Sequence, residues 1–161
     1  MGAEIKIEGF DALAAKLREF APALRKRVVR NALSAGARLV RDEAKRNAPV
    51  LAIGSRARHR KAGTLKKALA VRTSKQARRA GNIGVFVNVR PAKGAARGAK
   101  SASDPFYWRF QEFGTRKMRA ANAGQGFLRP AANKLGAALD IFKTQVGRWI
   151  EKVNSSGKVV P

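Results

Sequence analysis

Between Pro22 and Pro49 the chain carries one long amphipathic pattern, and it constrains the fold more than any other feature. Leu24, Val28, Ala32, Ala35 and Leu39 form one row, and Val29, Leu33, Gly36, Val40 and Ala44 form the adjacent row. Arg27, Arg30, Ser34, Arg38, Arg41 and Lys45 fall on the opposite side. Spacings of three and four place each row on one helical face, so the pattern predicts a helix over residues 23–46. Its apolar face is wide but built of small residues. Ala32, Ala35, Gly36 and Ala37 leave room for a second backbone to approach closely. The sequence Asn47-Ala48-Pro49 ends the helix, because the residue before a proline is pushed out of the helical region. Pro22 separates it from a shorter helical pattern, Phe10, Leu13, Leu17, Phe20 and Leu24, for which Asp11 is a suitable N-cap.

The remaining segments add a small sheet and a second long helix. Glu4-Ile5-Lys6-Ile7-Glu8 alternates polar and apolar residues and reads as a short strand. Residues 64–73 read as a helical turn entering a strand, with Leu69, Val71 and Thr73 on one face. Residues 82–90 form the clearest strand, Ile83, Val85, Val87 and Val89 alternating with Gly84, Phe86, Asn88 and Arg90. Lys75, Arg78, Arg79 and Gly81 lie in a basic turn between these strands, as in a hairpin. Phe106, Trp108 and Phe110 alternate with Tyr107, Arg109 and Gln111, which predicts a third strand or extended segment. Pro130 suits the first turn of a final helix, in which Leu135, Leu139, Phe142, Val146, Trp149 and Val153 repeat at helical spacing. The expected fold is α+β, a small antiparallel β-sheet packed with a long N-terminal helix region and a C-terminal helix. Residues 1–153 would form one domain with basic flexible loops at 51–63 and 91–103, and residues 154–161 a flexible tail. The Ala-, Gly- and Lys-rich loop at 91–103 is expected to be ordered only by a partner.

Charge sets the functional classes. The 161 residues hold 35 Lys and Arg against 10 Asp and Glu, a net +25. No acid lies between Glu43 and Asp104, so the cations there cannot be neutralised locally. They call for water, counterions, nucleic acid or an acidic neighbour. With no cysteine, disulfides and thiolate metal sites are excluded. No apolar run is long enough to span a membrane, and the start lacks the basic and apolar parts of a secretory signal. A soluble chain made in the cytoplasm, with no membrane partner, is expected. Catalysis finds little support. The lone His59 sits in the basic cluster Arg56-Ala-Arg-His-Arg-Lys61, and the adjacent Asp42 and Glu43 point in different directions on a helix. No phosphate-binding glycine loop is present. The expectation is no enzyme, no cofactor and no metal. Glu112, with Arg109, Arg116, Lys117 and Arg119 near it in sequence, is expected to form an ion pair.

Five of the eleven aromatic residues fall between Phe106 and Phe113. So many large side chains must pack against something, either the chain's own core or another subunit. The blocks Phe113-Gly-Thr-Arg-Lys-Met118, Phe127-Leu-Arg-Pro-Ala131, Ala44-Lys-Arg-Asn-Ala-Pro-Val50, Gly9-Phe-Asp-Ala-Leu13 and Gly63-Thr-Leu-Lys-Lys-Ala-Leu69 stand in an order that resembles the tail-completion family of long-tailed bacteriophages. The stretch between Arg119 and Gly126 is longer than that family's pattern and lacks its proline.

The resemblance implies a structural, non-enzymatic virion protein of the phage neck. It implies a cyclic homo-oligomer, a hexamer, that completes the tail at the head–tail junction, between the head connector and the tail-terminator or tail-tube ring. On that reading Trp108, Phe113, Gly114, Thr115, Arg116, Lys117, Met118, Phe127, Leu128 and Arg129 are candidates for subunit contact. Arg56, Arg58, Arg60, Lys61, Lys75, Arg78 and Arg79 are candidates to face nucleic acid or the channel, holding genomic DNA by sequence-independent phosphate contacts. The charge alone also fits a different class, a cellular sequence-independent nucleic-acid-binding protein.

Overall fold

A computed structural model describes residues 10–50, 60–115 and 126–156. The expected strand at residues 4–8 lies outside them. Helix α1, Phe10–Arg18, leads through a short turn into α2, Pro22–Asn47. Pro22 opens α2, where a missing N–H costs nothing. At the other end Ala48 turns to an extended conformation before Pro49, its N–H still donating to the Ala44 carbonyl. Val28, Ala32, Gly36 and Ala44 form the buried row.

Helix α7, Leu135–Ser156, lies across that row. A Cβ on Gly36 would stand 2.3 Å from the carbonyl oxygen of Ala138, so the two backbones meet at a spacing only glycine permits. The small-residue face read from the sequence has this role. The buried row of α7 differs from the expected one. Ala138, Phe142, Val146, Ile150 and Val153 are inside, whereas Leu135 is half exposed and Trp149 is only partly covered. Trp149 instead packs edge-on to Phe20, which follows α1. Leu17, Ala32, Phe142, Val146 and Ile150 form the core at this end of α2.

A second core lies at the opposite end of α2. There Ala44 and Ala48 pack with Leu65, Leu69, Val89, Phe127 and Ala131. Leu65 belongs to α3, Thr64–Ala68, which runs directly into β1, Leu69–Thr73. β1 pairs antiparallel with β2, Val85–Val89, in the register Leu69 to Val89 and Val71 to Val87. The hairpin matches expectation, but its connection is a helical turn, α4, Lys75–Arg79. Ser74 makes the difference: its hydroxyl accepts the Ala77 N–H and caps this turn. The chain is therefore α+β: among the described residues a two-stranded antiparallel sheet packs on long N- and C-terminal helices.

The aromatic block is a helix and not the expected third strand. A turn closed by Trp108 N–H to Pro105 C=O leads into α5, Trp108–Phe113. The spacing of Phe106, Phe110 and Phe113 is also helical, and that period wins here. Gly114 stops α5 at φ 74°, a conformation that strains any side chain, while its N–H returns to the Phe110 carbonyl. Beyond residues 116–125 the chain re-enters as α6, Leu128–Ala131, and passes through a 3-10 turn, Ala132–Lys134, into α7. Pro130 lies in the first turn of the short α6, whereas the sequence placed it at the start of the final helix, which begins at Leu135.

Candidate assembly and nucleic-acid surfaces

Glu112 is nearly buried and its carboxylate is fully engaged. One oxygen accepts the N–H groups of Phe127 at 2.7 Å and Leu128 at 2.9 Å, and the other accepts the Arg129 N–H at 3.0 Å. These are backbone donors that the start of α6 leaves without helical partners, and an anion there also meets the positive end of the helix. Among the described residues Glu112 forms a clasp between α5 and α6; Arg116, Lys117 and Arg119, three of its expected ion-pair partners, lie outside them. No local pattern announces it, because donor and acceptor lie on either side of residues 116–125.

The clasp fixes where the aromatic residues point. Tyr107 and Trp108 pack against the sheet-end core, and Phe127 is entirely buried in it. Phe127, a candidate for subunit contact, is therefore a core residue of its own chain. Leu128 also packs on this core, while Arg129 is exposed. Gly114 and Thr115 are partly covered. Phe113 faces outward with 66% of its surface exposed, and Phe110 beside it with 47%. Phe110 was not among the sequence candidates; it joins the surface because α5 is helical. Arg116, Lys117 and Met118 lie outside the described residues.

The basic candidates separate into two groups. The Arg60 guanidinium lies 4.7 Å from the ring centre of Phe106 and 5.1 Å from that of Tyr107, and its Nη2 donates to the Ala99 carbonyl at 2.9 Å. Arg60 is thus a brace inside the fold, not a free cation. The loop it reaches is held at further points. Lys61 N–H donates to Ala102 C=O at 3.0 Å, and the buried Asp104 carboxylate accepts N–H groups from Gly98 at 2.5 Å and Ala92 at 3.4 Å. The backbone of residues 91–103, expected to wait for a partner, is tied down by the chain itself. The Lys61 side chain is exposed, as are Lys75, Arg78 and Arg79 on α4 at the hairpin tip. Arg56, Arg58 and His59 lie outside the described residues.

A second basic surface runs along α2. Arg27, Asn31, Ser34 and Arg38 form one wall of a groove of about 770 Å³, and Gln145 and Trp149 of α7 form the other. No carboxylate lines it. The described residues contain no cluster of His, Cys, Asp and Glu able to hold a metal, and no helix among them is long and apolar enough to cross a membrane.

The described unit is helix-rich α+β, with Phe110 and Phe113 exposed on α5 and basic side chains exposed on α4. The family model described as "Bacteriophage HK97-gp10, putative tail-component" matches residues 11–114, from α1 through the glycine that ends α5. The chain belongs to this family and is a structural component associated with the phage tail. The family points away from catalysis and toward a place in the virion. No curated protein and no solved structure is significantly similar to the chain.

Proposed function

We propose that this tail component forms a closed ring, a hexamer, at the head–tail junction. The ring completes the tail and joins it to the head connector on one side and to the tail-terminator or tail-tube ring on the other. The observation that supports it best is Phe113, a large apolar side chain two-thirds exposed on a helix that Glu112 holds rigid. An apolar projection fixed in place suits a heterologous contact repeated from copy to copy, and a rotation that closes gives a ring.

The charge then serves the DNA path. Exposed Lys75, Arg78 and Arg79 at the hairpin tip and the Arg27–Arg38 wall of α2 supply phosphate-binding cations without neighbouring carboxylates. Contacts of that kind are independent of sequence and weaken steeply with salt. Electron cryomicroscopy of the particle neck tests the whole reading. A closed ring at the head–tail junction with one of these basic faces toward the channel is the expected density. A ring whose basic faces abut a neighbouring protein ring would replace DNA contact with protein docking. Absence of the chain from the particle would overturn the assignment to the neck.

A further inference from the structure

Lys61, Lys67 and Arg90 stand in the stretch between Glu43 and Asp104 that holds no acid. The fold brings them to one cleft of about 260 Å³, between α3 and the chain that follows β2. Thr64 and Ser103 also line it, and the rest of the lining is alanine and proline. All three cations are exposed, and no carboxylate lines the cleft. Asp104 follows Ser103 in the chain, but it is buried and its carboxylate accepts the N–H groups of Gly98 and Ala92. Among the described residues none of the three cations takes part in an ion pair.

The backbone beneath these cations is fixed. Lys61 N–H donates to Ala102 C=O at 3.0 Å, and the Lys61 carbonyl accepts the Thr64 hydroxyl at 2.6 Å. Lys67 N–H donates to Gly63 C=O at 3.0 Å, and Arg90 N–H to Ala68 C=O at 2.8 Å. The last bond ties the end of β2 to the end of α3, so the backbones that carry Lys67 and Arg90 keep their relative places. Like charges gathered in one cleft repel, and an anion that enters relieves the repulsion. Walls of alanine and proline screen the charges less than water does, which strengthens each contact. A carboxylate is planar and singly charged. A phosphate group spreads more charge over tetrahedrally directed oxygens, which suits a guanidinium and two ammonium groups that arrive from separate segments.

We infer that this cleft is a phosphate-binding site, in which Lys61, Lys67 and Arg90 contact the oxygens and the Ser103 hydroxyl is a further donor. Of these residues only Lys61 is marked by the basic cluster in the sequence; Lys67 and Arg90 join it through the fold. The phosphate is that of a nucleic-acid backbone or a free phosphate ion. The site belongs to the single chain, so absence of a ring, or of the chain from the particle neck, leaves it standing. Only the choice between the two sources of phosphate rests on the DNA-path reading.

Inorganic phosphate is titrated into the isotope-labelled full chain at constant ionic strength, with chloride as the balancing ion, and backbone amide shifts are followed by NMR. Saturable shifts at Thr64, Lys67, Arg90 and Ala92 are expected. They should weaken about tenfold or more in affinity in Lys67→Ala/Arg90→Ala. The charge-matched variant Arg148→Ala/Lys152→Ala, whose two side chains are exposed on α7, should bind phosphate as the unmodified chain does. Shifts spread evenly over the cationic surface would overturn the proposal. So would equal loss in the two variants, or acetate producing the same shifts at the same concentrations. A fluorescent DNA duplex then separates the sources. If phosphate displaces the duplex more than chloride does, in the unmodified chain but not in Lys67→Ala/Arg90→Ala, the site takes nucleic-acid phosphate. If the amide shifts occur and the duplex stays bound, the site takes the free ion and the DNA path runs elsewhere.

Discussion

The carboxylate of Glu112 accepts the backbone N–H of Phe127 at 2.7 Å, and this bond joins the outward-facing aromatic helix to the start of the C-terminal helical region. The same carboxylate takes the next two N–H groups, so one side chain satisfies three donors at a buried helix start. Glu112→Ala leaves those donors without partners and is expected to cost about 3 kcal/mol, while Glu112→Gln, which keeps an acceptor but loses the charge, should cost roughly half as much. Urea denaturation of the two variants checks this. A loss under about 0.5 kcal/mol for the alanine variant would show that the clasp contributes little.

Gly36→Ala tests the helix crossing through the sign of its effect. On an exposed helix this change stabilises by roughly 1 kcal/mol, because alanine is the better helix former. Here the new Cβ would meet the Ala138 carbonyl oxygen at 2.3 Å, which forces α2 and α7 apart. The expected result is a net destabilisation of about 1–3 kcal/mol, read as a lower thermal midpoint.

Arg60 reaches two other parts of the chain: the turn holding the Phe106 and Tyr107 rings, and the Ala99 carbonyl. A lysine keeps the charge but not the planar face or the directed donors. Arg60→Lys should therefore loosen residues 91–103 almost as much as Arg60→Ala. The stretch contains Lys93, Arg97 and Lys100, so limited trypsin digestion reports it directly. Faster cleavage there in both variants, with the rest of the chain intact, is the expected pattern. Unchanged digestion would mean that Asp104 alone holds the loop.

The sequence made α2, the hairpin and the final helix legible because each repeats one period over many residues. Gly36 stood out by its place in a small-residue face, whereas its distant partner Ala138 and the Ser74 cap did not. The aromatic block misled because Phe106, Trp108 and Phe110 satisfy a period of two while Phe106, Phe110 and Phe113 satisfy a helical one. Six residues do not choose between them; the Trp108 N–H to Pro105 C=O turn does. The Glu112 clasp and the Arg60 brace were hidden for another reason. Both join residues far apart in the chain, and charge alone suggested salt bridges or DNA contact where the fold supplies backbone donors and aromatic faces.

Tyr107 gives a pH signature. Burial disfavours the phenolate and raises its pKa above the model-compound value of 10.0, although the Arg60 cation pulls the other way. The folded state therefore holds the proton more tightly than the unfolded state. Its contribution is constant below about pH 10, and stability falls as pH rises above that point toward the folded value. Tyr107 is the sole tyrosine, so phenolate absorbance follows it without ambiguity. Its titration in the folded protein should lie above that in urea, and Arg60→Ala should move it further upward. A folded titration at or below the urea value would contradict the partly buried placement of the ring.

Phe127 and Phe113 separate folding from assembly. Phe127 is fully buried among Leu65, Leu69 and Val89, so Phe127→Ala opens a cavity in the sheet-end core and should cost about 3–5 kcal/mol. Phe113 is 66% exposed, and truncating it should change the stability of the isolated chain by no more than about 0.5 kcal/mol. If Phe113 seats against a neighbouring copy, Phe113→Ala should remain folded yet fail to form rings or complete tails, as seen by light scattering and negative-stain imaging. A folded Phe113→Ala chain that still assembles would remove this side chain from the subunit contact and leave Phe110 as the exposed aromatic on that surface to examine next.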